Sequence, residues 1–265
     1  LQLCFTEYGP EDGPEDGPED NRPPLLILHG LFGSARNWAQ IARAMAARRR
    51  VLALDLPNHG GSPWTGDAGY RAMASAVAGL MAGEGIAGAD IMGHSMGGKT
   101  AMALALERPD LVRRLVVVDI APVAYDHSRT PEIDAMLALP LAQIATRGDA
   151  DELLAAAIEG APLRAFLLTN LGRGAGGFEW RINLAGLKAA LPELHGFPFD
   201  PGERVFEGLT LFVAGAQSGY IGPEHGPAMD GFFPARSTQR IDGAGHWVHA
   251  DDPAALLAAV EVFLD

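Results

Sequence analysis

The sequence predicts an α/β domain: a mostly parallel sheet with helices on both faces and an inserted helical cap. Three observations carry that expectation. Short, continuously apolar runs recur along the chain, which is how strands buried on both faces read. Helical patterns alternate with these runs, as crossover connections between parallel strands require. The alternation then stops between Pro122 and Arg204 and afterwards resumes.

The elements follow in order. LLILHG (25–30) is the first core strand and its turn, and an amphipathic stretch runs from Asn37 to Ala47. VLALD (51–55) is the second strand; a loop and a helical pattern over Tyr70–Gly83 follow it. ADIMG (89–93) leads into SMGGKTAMALALE (95–107), and LVVVD (115–119) is the next strand. LTLFVAG (209–215), STQRI (237–241) and a helix PAALLAAVEVFL (253–264) complete the pattern. The interrupted region holds helical stretches at Pro131–Leu139, Ala150–Glu159 and Leu163–Leu171, a Gly-rich stretch GRGAGGFEWR (172–181), and no convincing core strand. The expected division is a core formed by 1–121 and 206–265, with 122–205 as the cap between two strands and over the site.

Composition bounds the rest. With 265 residues, 48 % hydrophobic and 20 % charged, a large core is available. No run approaches the roughly 18 apolar residues of a membrane helix, so no stable membrane insertion is expected. No basic-then-apolar secretion signal is visible, and Cys4 is the single cysteine, so no intrachain disulfide or thiolate zinc cluster can form. A cytoplasmic protein is expected, as a monomer or small homo-oligomer. The net charge of −13 includes six carboxylates in GPED-GPED-GPED (9–20), read as a solvated loop because Pro and Gly prevent regular structure there. Its spacing does not match a calcium loop. An acidic chain without a basic stripe excludes nucleic acid as a partner.

The chemistry centres on Gly93-His94-Ser95-Met96-Gly97. This is a G-x-S-x-G turn placed between a strand and a helix, where the serine is forced above the sheet and small residues must flank it. A serine needs a base to attack at neutral pH. Of eight histidines, His246 in GAGHWVH follows the late strand STQRI and is the expected base, with His249 its nearest rival. His29, His59 and His94 read as loop-bracing or locally bonded, and His127, His195 and His225 lie in the cap or a surface loop. The third member must be a carboxylate that orients the imidazole. The loop after LTLFVAG holds no Asp: Ser218 stands in the expected place and Glu224 lies further along. Asp119, ending LVVVD, is the alternative, and Asp242 reads as a turn residue. Oxyanion donors are expected from the N–H of Met96 and of Leu31, with Phe32 as fallback. DLPNHGGS (55–62) suits a sharp reversal and is assigned no chemistry.

HGLFGSARNW, LDLPNHGGS, GHSMGGKTAM, VVVDIAPVAY, WRINL and GAGHWVHADDP together resemble the YbfF-type esterases, a branch of the α/β-hydrolase superfamily. The resemblance spans nearly the whole chain in order and implies the α/β-hydrolase fold with a cap. It implies hydrolysis of carboxylic esters and acyl thioesters through a Ser95 acyl-enzyme, with no metal and no organic cofactor. It also places the acid in the DIAP segment, at Asp119, with Ser218 as secondary polar support. The GPED repeat departs from the family's short hairpin there. Phe32, Phe166, Leu167, Phe178 and Trp180 are expected to form an apolar pocket for a small-molecule substrate. Perhydrolase or cofactor-free haloperoxidase-like activity, and a slow-turnover ligand-binding signalling protein that keeps the triad, are the competing readings. Burst kinetics with a chromogenic ester separate the signalling reading from the hydrolase.

Overall fold

The uninterrupted apolar runs become the inner strands of one sheet. In this computed structural model, which describes residues 1–9, 22–126 and 128–265, the strands are β1 (Phe5–Tyr8), β2 (Leu25–Leu28), β3 (Val51–Leu54), β4 (Ala89–His94), β5 (Val112–Val118), β6 (Leu171–Gly174), β7 (Gly177–Trp180), β8 (Thr210–Gly215) and β9 (Arg236–Ile241). Residues 10–20 of the GPED repeat, expected as a solvated loop, and His127 lie outside the described residues. Seven strands form the main sheet in the order β1-β3-β2-β4-β5-β8-β9. All neighbours pair in parallel except β1, which runs antiparallel to β3. Every residue of β2, β3, β4 and β8 is buried, whereas β9 closes one edge with the polar sequence RSTQRI. The four residues of β1, two half-buried and two exposed, leave too weak a pattern for the sequence alone to show the strand's pairing with β3.

Strand alternation divides the core. Leu25, Ile27, Val51 and Ala53 face α1 (Ala39–Met45) and, at the chain's end, Leu256, Val260 and Leu264. Leu26, Leu28, Leu52 and Leu54 face α2 (Tyr70–Gly83) and α3 (Met96–Glu107). The sheet is therefore covered on both sides, with the carboxyl ends of its strands left for loops.

Between β5 and β8 the chain leaves the sheet. It forms α4 (Thr130–Leu137), α5 (Arg147–Ala155), α6 (Ala161–Leu167), the β6–β7 hairpin and α7 (Leu184–His195). The hairpin strands pair only with each other among the described residues, so the Gly-rich stretch adds nothing to the main sheet. α7 was not anticipated, since Gly186 and Pro192 break the helical pattern. Asn183 starts it by accepting the Gly186 N–H at 3.0 Å, and Pro192 falls in its last turns. Two short helices, α8 (Gly226–Phe232) and α9 (Val248–Asp251), flank β9, and α10 (Pro253–Leu264) ends the chain.

The turn from β4 to α3 is the tightest point of the fold. Ser95 has φ 53° and ψ −118°, a backbone conformation that L-residues rarely adopt. A Cβ on Gly97 would strike the carbonyls of Leu28 and His29, and one on Gly93 would strike the Gly97 carbonyl. Helix α3 thus starts in backbone contact with the end of β2. Gly97→Ala is expected to lower stability by about 2–3 kcal/mol, because the obstacle is main chain and cannot rotate away. Thermal unfolding should read this as a midpoint lowered by roughly 5–10 °C. An unchanged midpoint would show that β2 and α3 are further apart than described.

Candidate active site

Three sequence-distant side chains meet above the carboxyl ends of the strands. His246, in the loop after β9, places Nε2 3.0 Å from Ser95 Oγ and Nδ1 2.7 Å from Asp119 Oδ2. With the Nδ1–H donated to the carboxylate, Nε2 carries the lone pair facing the hydroxyl. Asp119 lies one residue beyond β5, fully buried, with φ 52°. Its Oδ1 accepts the Gly215 N–H at 3.0 Å, and its Oδ2 accepts the Ser218 hydroxyl. Both candidate positions are thus occupied: Asp119 touches the ring, and Ser218 stands behind the carboxylate. Glu224 is exposed beside His225, and Asp242 is exposed in a turn. The ring of Tyr220 stacks on His246 with centroids 4.0 Å apart, an aromatic contact the sequence reading passed over.

Met96 and Leu31, the expected oxyanion donors, line the same cavity as Ser95. Met96 is the first residue of α3, so its N–H has no intrahelical acceptor. The Leu31 N–H makes no hydrogen bond among the described residues. The Phe32 N–H, the expected fallback, is donated to His59 Nε2 at 3.3 Å and is unavailable. Its carbonyl accepts from Asn170 Nδ2 at 2.8 Å, so both polar groups of Phe32 serve to hold the loop.

Of the residues expected to form an apolar pocket, Phe32 and Phe166 line the cavity. Phe178, Trp180 and Leu167 do not. Phe178 and Trp180 are two residues apart on β7 and share one face of the hairpin. Both are partly buried against the hydrophobic core, and the Arg173 guanidinium covers the Phe178 ring at 4.6 Å. In their place α7 supplies Leu191 and Leu194, and α3 supplies Lys99. Lys99 had a signal, since it falls one helical turn after Ser95; the α7 residues had none without the tertiary structure.

This constellation on this sheet is that of the α/β hydrolases. The chain belongs to that family: the family model described as alpha/beta hydrolase fold matches residues 23–253. It is 42 % identical over 254 residues to the sn-1-specific diacylglycerol lipase of Mus musculus, covering 91 % of this chain and 81 % of the relative. It is 34 % identical over 246 residues to esterase YbfF of Escherichia coli K12, covering 92 % and 94 %. A solved marine microorganism esterase superposes with a TM-score of 0.92 at 32 % identity, over 99 % of each chain. No helix among the described residues is long and apolar enough to cross a membrane.

Four other histidines surround the site as neutral braces. His29 Nδ1 donates to the Gly30 carbonyl at 2.8 Å while its Nε2 accepts the Leu56 N–H at 3.0 Å. His59 donates from Nδ1 to the Pro57 carbonyl at 2.9 Å and accepts the Phe32 N–H. His94 donates from Nε2 to the carbonyl of His246 at 2.8 Å. His249, the rival base, instead stacks on Trp38 with centroids 4.4 Å apart. Burial pushes His29 down to about 4, His59 to about 3 and His249 to about 4, and holds His94 well below the usual histidine range. In the unfolded chain these rings titrate near about 6.5. Below that pH the unfolded state binds protons that the folded state refuses, so stability falls as pH drops from about 6.5 toward 4. Each ring adds up to about 1.4 kcal/mol per pH unit within that window. Urea unfolding at pH 7.5, 6 and 5 should show this loss, and His29→Gln should lessen it by one ring's share; a pH-independent midpoint would contradict the neutral assignment.

Proposed function

We propose that the protein is a serine hydrolase of carboxylic esters that works through an acyl-enzyme on Ser95, with acyl thioesters as a second substrate class. The observation that carries this reading is the unbroken chain from Ser95 Oγ to His246 at 3.0 Å and from His246 to Asp119 at 2.7 Å. Ser95 attacks the acyl carbon while His246 Nε2 takes its proton. Asp119 holds the ring in the tautomer that can do so and stabilises the imidazolium that forms. The Met96 and Leu31 N–H groups receive the developing oxyanion, helped by the positive end of α3. His246 returns the proton to the leaving alcohol or thiol. Water then attacks the acyl-enzyme through the same base, and the free acid departs. None of these steps calls on a metal or organic cofactor.

The segment 122–205 is assigned as a cap, supported by Phe166 and Leu194 lining the same cavity as Ser95. The lipase and esterase named among the relatives support a small ester substrate of the kind an apolar cavity accepts. Ser218 is assigned a supporting role, since a neutral hydroxyl cannot stabilise an imidazolium by charge.

The roles order three substitutions. Ser95→Ala should abolish labelling by a fluorophosphonate probe and lower kcat for ester hydrolysis by at least about 10³-fold. Asp119→Asn should lower kcat by roughly 10²- to 10⁴-fold with KM little changed, since the carboxylate acts mainly in the transition state. Ser218→Ala should cost about tenfold, the scale of one neutral hydrogen bond. Turnover by Ser95→Ala above a tenth of wild type would remove the nucleophile assignment, and Ser218→Ala proving worse than Asp119→Asn would remove the acid assignment.

A further inference from the structure

Lys99 is a buried cation without a counter-ion among the described residues. It is 1 % exposed, and its Nζ donates to the main-chain carbonyls of His195 at 3.2 Å and Gly196 at 2.5 Å. The ring centroids of Tyr70 and Tyr125 lie 5.5 and 4.9 Å from it. An ammonium has three donors, and these two carbonyls use two. No carboxylate pairs with it among the described residues, whereas the other deeply buried cation, Arg49, is matched by Asp90 at 2.6 Å.

Its location gives the missing partner a meaning. Lys99 lines the cavity of Ser95, and its N–H donates to the Ser95 carbonyl at 3.0 Å, which places it one helical turn, about 6 Å, along α3. Lys99 and Arg129 are the charged residues of the cavity wall apart from histidines, which contains no Asp or Glu. Arg129 is already paired with Glu132 at 2.8 Å. In the same wall, His195 Nε2 and His249 Nδ1 are buried with no hydrogen-bond partner among the described residues. A buried ammonium without a carboxylate calls for an anionic group from outside the chain, and the unpartnered imidazole nitrogens leave room for a polar one.

On the reading of the protein as an ester hydrolase, we infer that Lys99 forms a carboxylate-binding subsite for the acyl portion of the substrate, so that half-esters of dicarboxylic acids are preferred over neutral esters of equal length. Lys99 would contribute charge and its third N–H, and His195 a hydrogen bond. Burial pushes the Lys99 ammonium down to about 7, so the charge is complete in acid and fades above neutrality in the free enzyme. The groups facing it are the Tyr70 and Tyr125 rings and the two α7-end carbonyls; the His195 imidazole shares the cavity wall.

The test compares monoethyl succinate, glutarate and adipate with ethyl butyrate, pentanoate and hexanoate, following ethanol release. At pH 6.5 the best half-ester should exceed its neutral counterpart about 10- to 100-fold in kcat/KM, the scale of a charge-assisted hydrogen bond. That advantage should shrink as pH rises through about 7. Lys99→Met should bring the ratio below one. A wild-type ratio at or below one, or a ratio unchanged in Lys99→Met, overturns the inference and indicates that Lys99 only caps α7. Should Lys99→Met not fold, the wild-type ratio and its pH dependence decide alone. Calorimetry with Ser95→Ala and the same ester pairs decides the subsite even if neither ester is hydrolysed: tighter binding of the half-ester supports it, and equal or weaker binding overturns it. Absence of hydrolysis would count against the ester-hydrolase reading alone.

Discussion

A carboxylate taken out of water persists only where donors replace the ones it has lost, and Asp119 obtains three from three separate segments. The Gly215 N–H comes from the end of β8, the Ser218 hydroxyl from the loop beyond it, and the His246 ring from the loop after β9. One side chain therefore ties the ends of β5 and β8 to the segment that carries the histidine. The same few residues also hold the serine. Ser95 N–H donates to the Val118 carbonyl at 3.0 Å, and Asp119 N–H donates to the Val213 carbonyl at 2.8 Å. A slip of β5 by one residue would displace serine, carboxylate and imidazole together. Two of the three also sit at positive φ, Ser95 at 53° and Asp119 at 52°. Such strain survives because the surrounding sheet over-determines it.

Much of this was legible in the sequence, for identifiable reasons. Strands buried on both faces are mostly apolar, so LLIL, VLAL and TLFVAG declared themselves. The turn at Ser95 was legible because close backbone approach permits only glycine at 93 and 97. What stayed hidden depends on contacts between distant segments. Phe178 and Trp180 had the right chemistry for a pocket, but the hairpin turns them against the core. The fallback role of Phe32 failed because its N–H is held by His59, a bond between loops 27 residues apart. α7 was missed because a helix containing glycine and proline is sustained by packing, not by propensity. The pairing of β1 stayed open for the opposite reason: it is a partly exposed edge whose place is set by β3.

The insertion is not hung on the core by apolar contact alone. Asn170 reaches the Phe32 carbonyl at 2.8 Å, Asn183 Nδ2 reaches Asn58 Oδ1 at 2.9 Å, and Tyr70 Oη donates to the Leu194 carbonyl at 2.6 Å. Lys99 adds its two bonds at the end of α7. The loop that offers the Leu31 N–H is thus braced from both sides, by His59 through the Phe32 N–H and by Asn170 through the carbonyl. Each buried polar clamp left unmade would cost about 1–3 kcal/mol. On the α6 side the ring of Phe166 meets Trp247 with centroids 5.9 Å apart, an apolar contact that forfeits less when it opens.

Charge is distributed against the chain's own sign. The net charge is −13, yet the cavity wall carries Lys99 and Arg129 and no acidic side chain. Asp119 is concealed beneath the imidazole and fully buried. Surface carboxylates act through water, where their fields fall off within about 8 Å at physiological salt. Inside the cavity the lower effective dielectric makes a nearby ammonium far more influential than a larger but distant surface charge. The four neutral histidines fit the same constraint. A second imidazolium beside His246 would repel the one that the reaction must create, and burial keeps His94 and His249, whose rings contact or neighbour it, uncharged. The cavity wall therefore keeps its lysine and arginine as its cations, while burial holds the imidazoles of His94 and His249 beside His246 neutral.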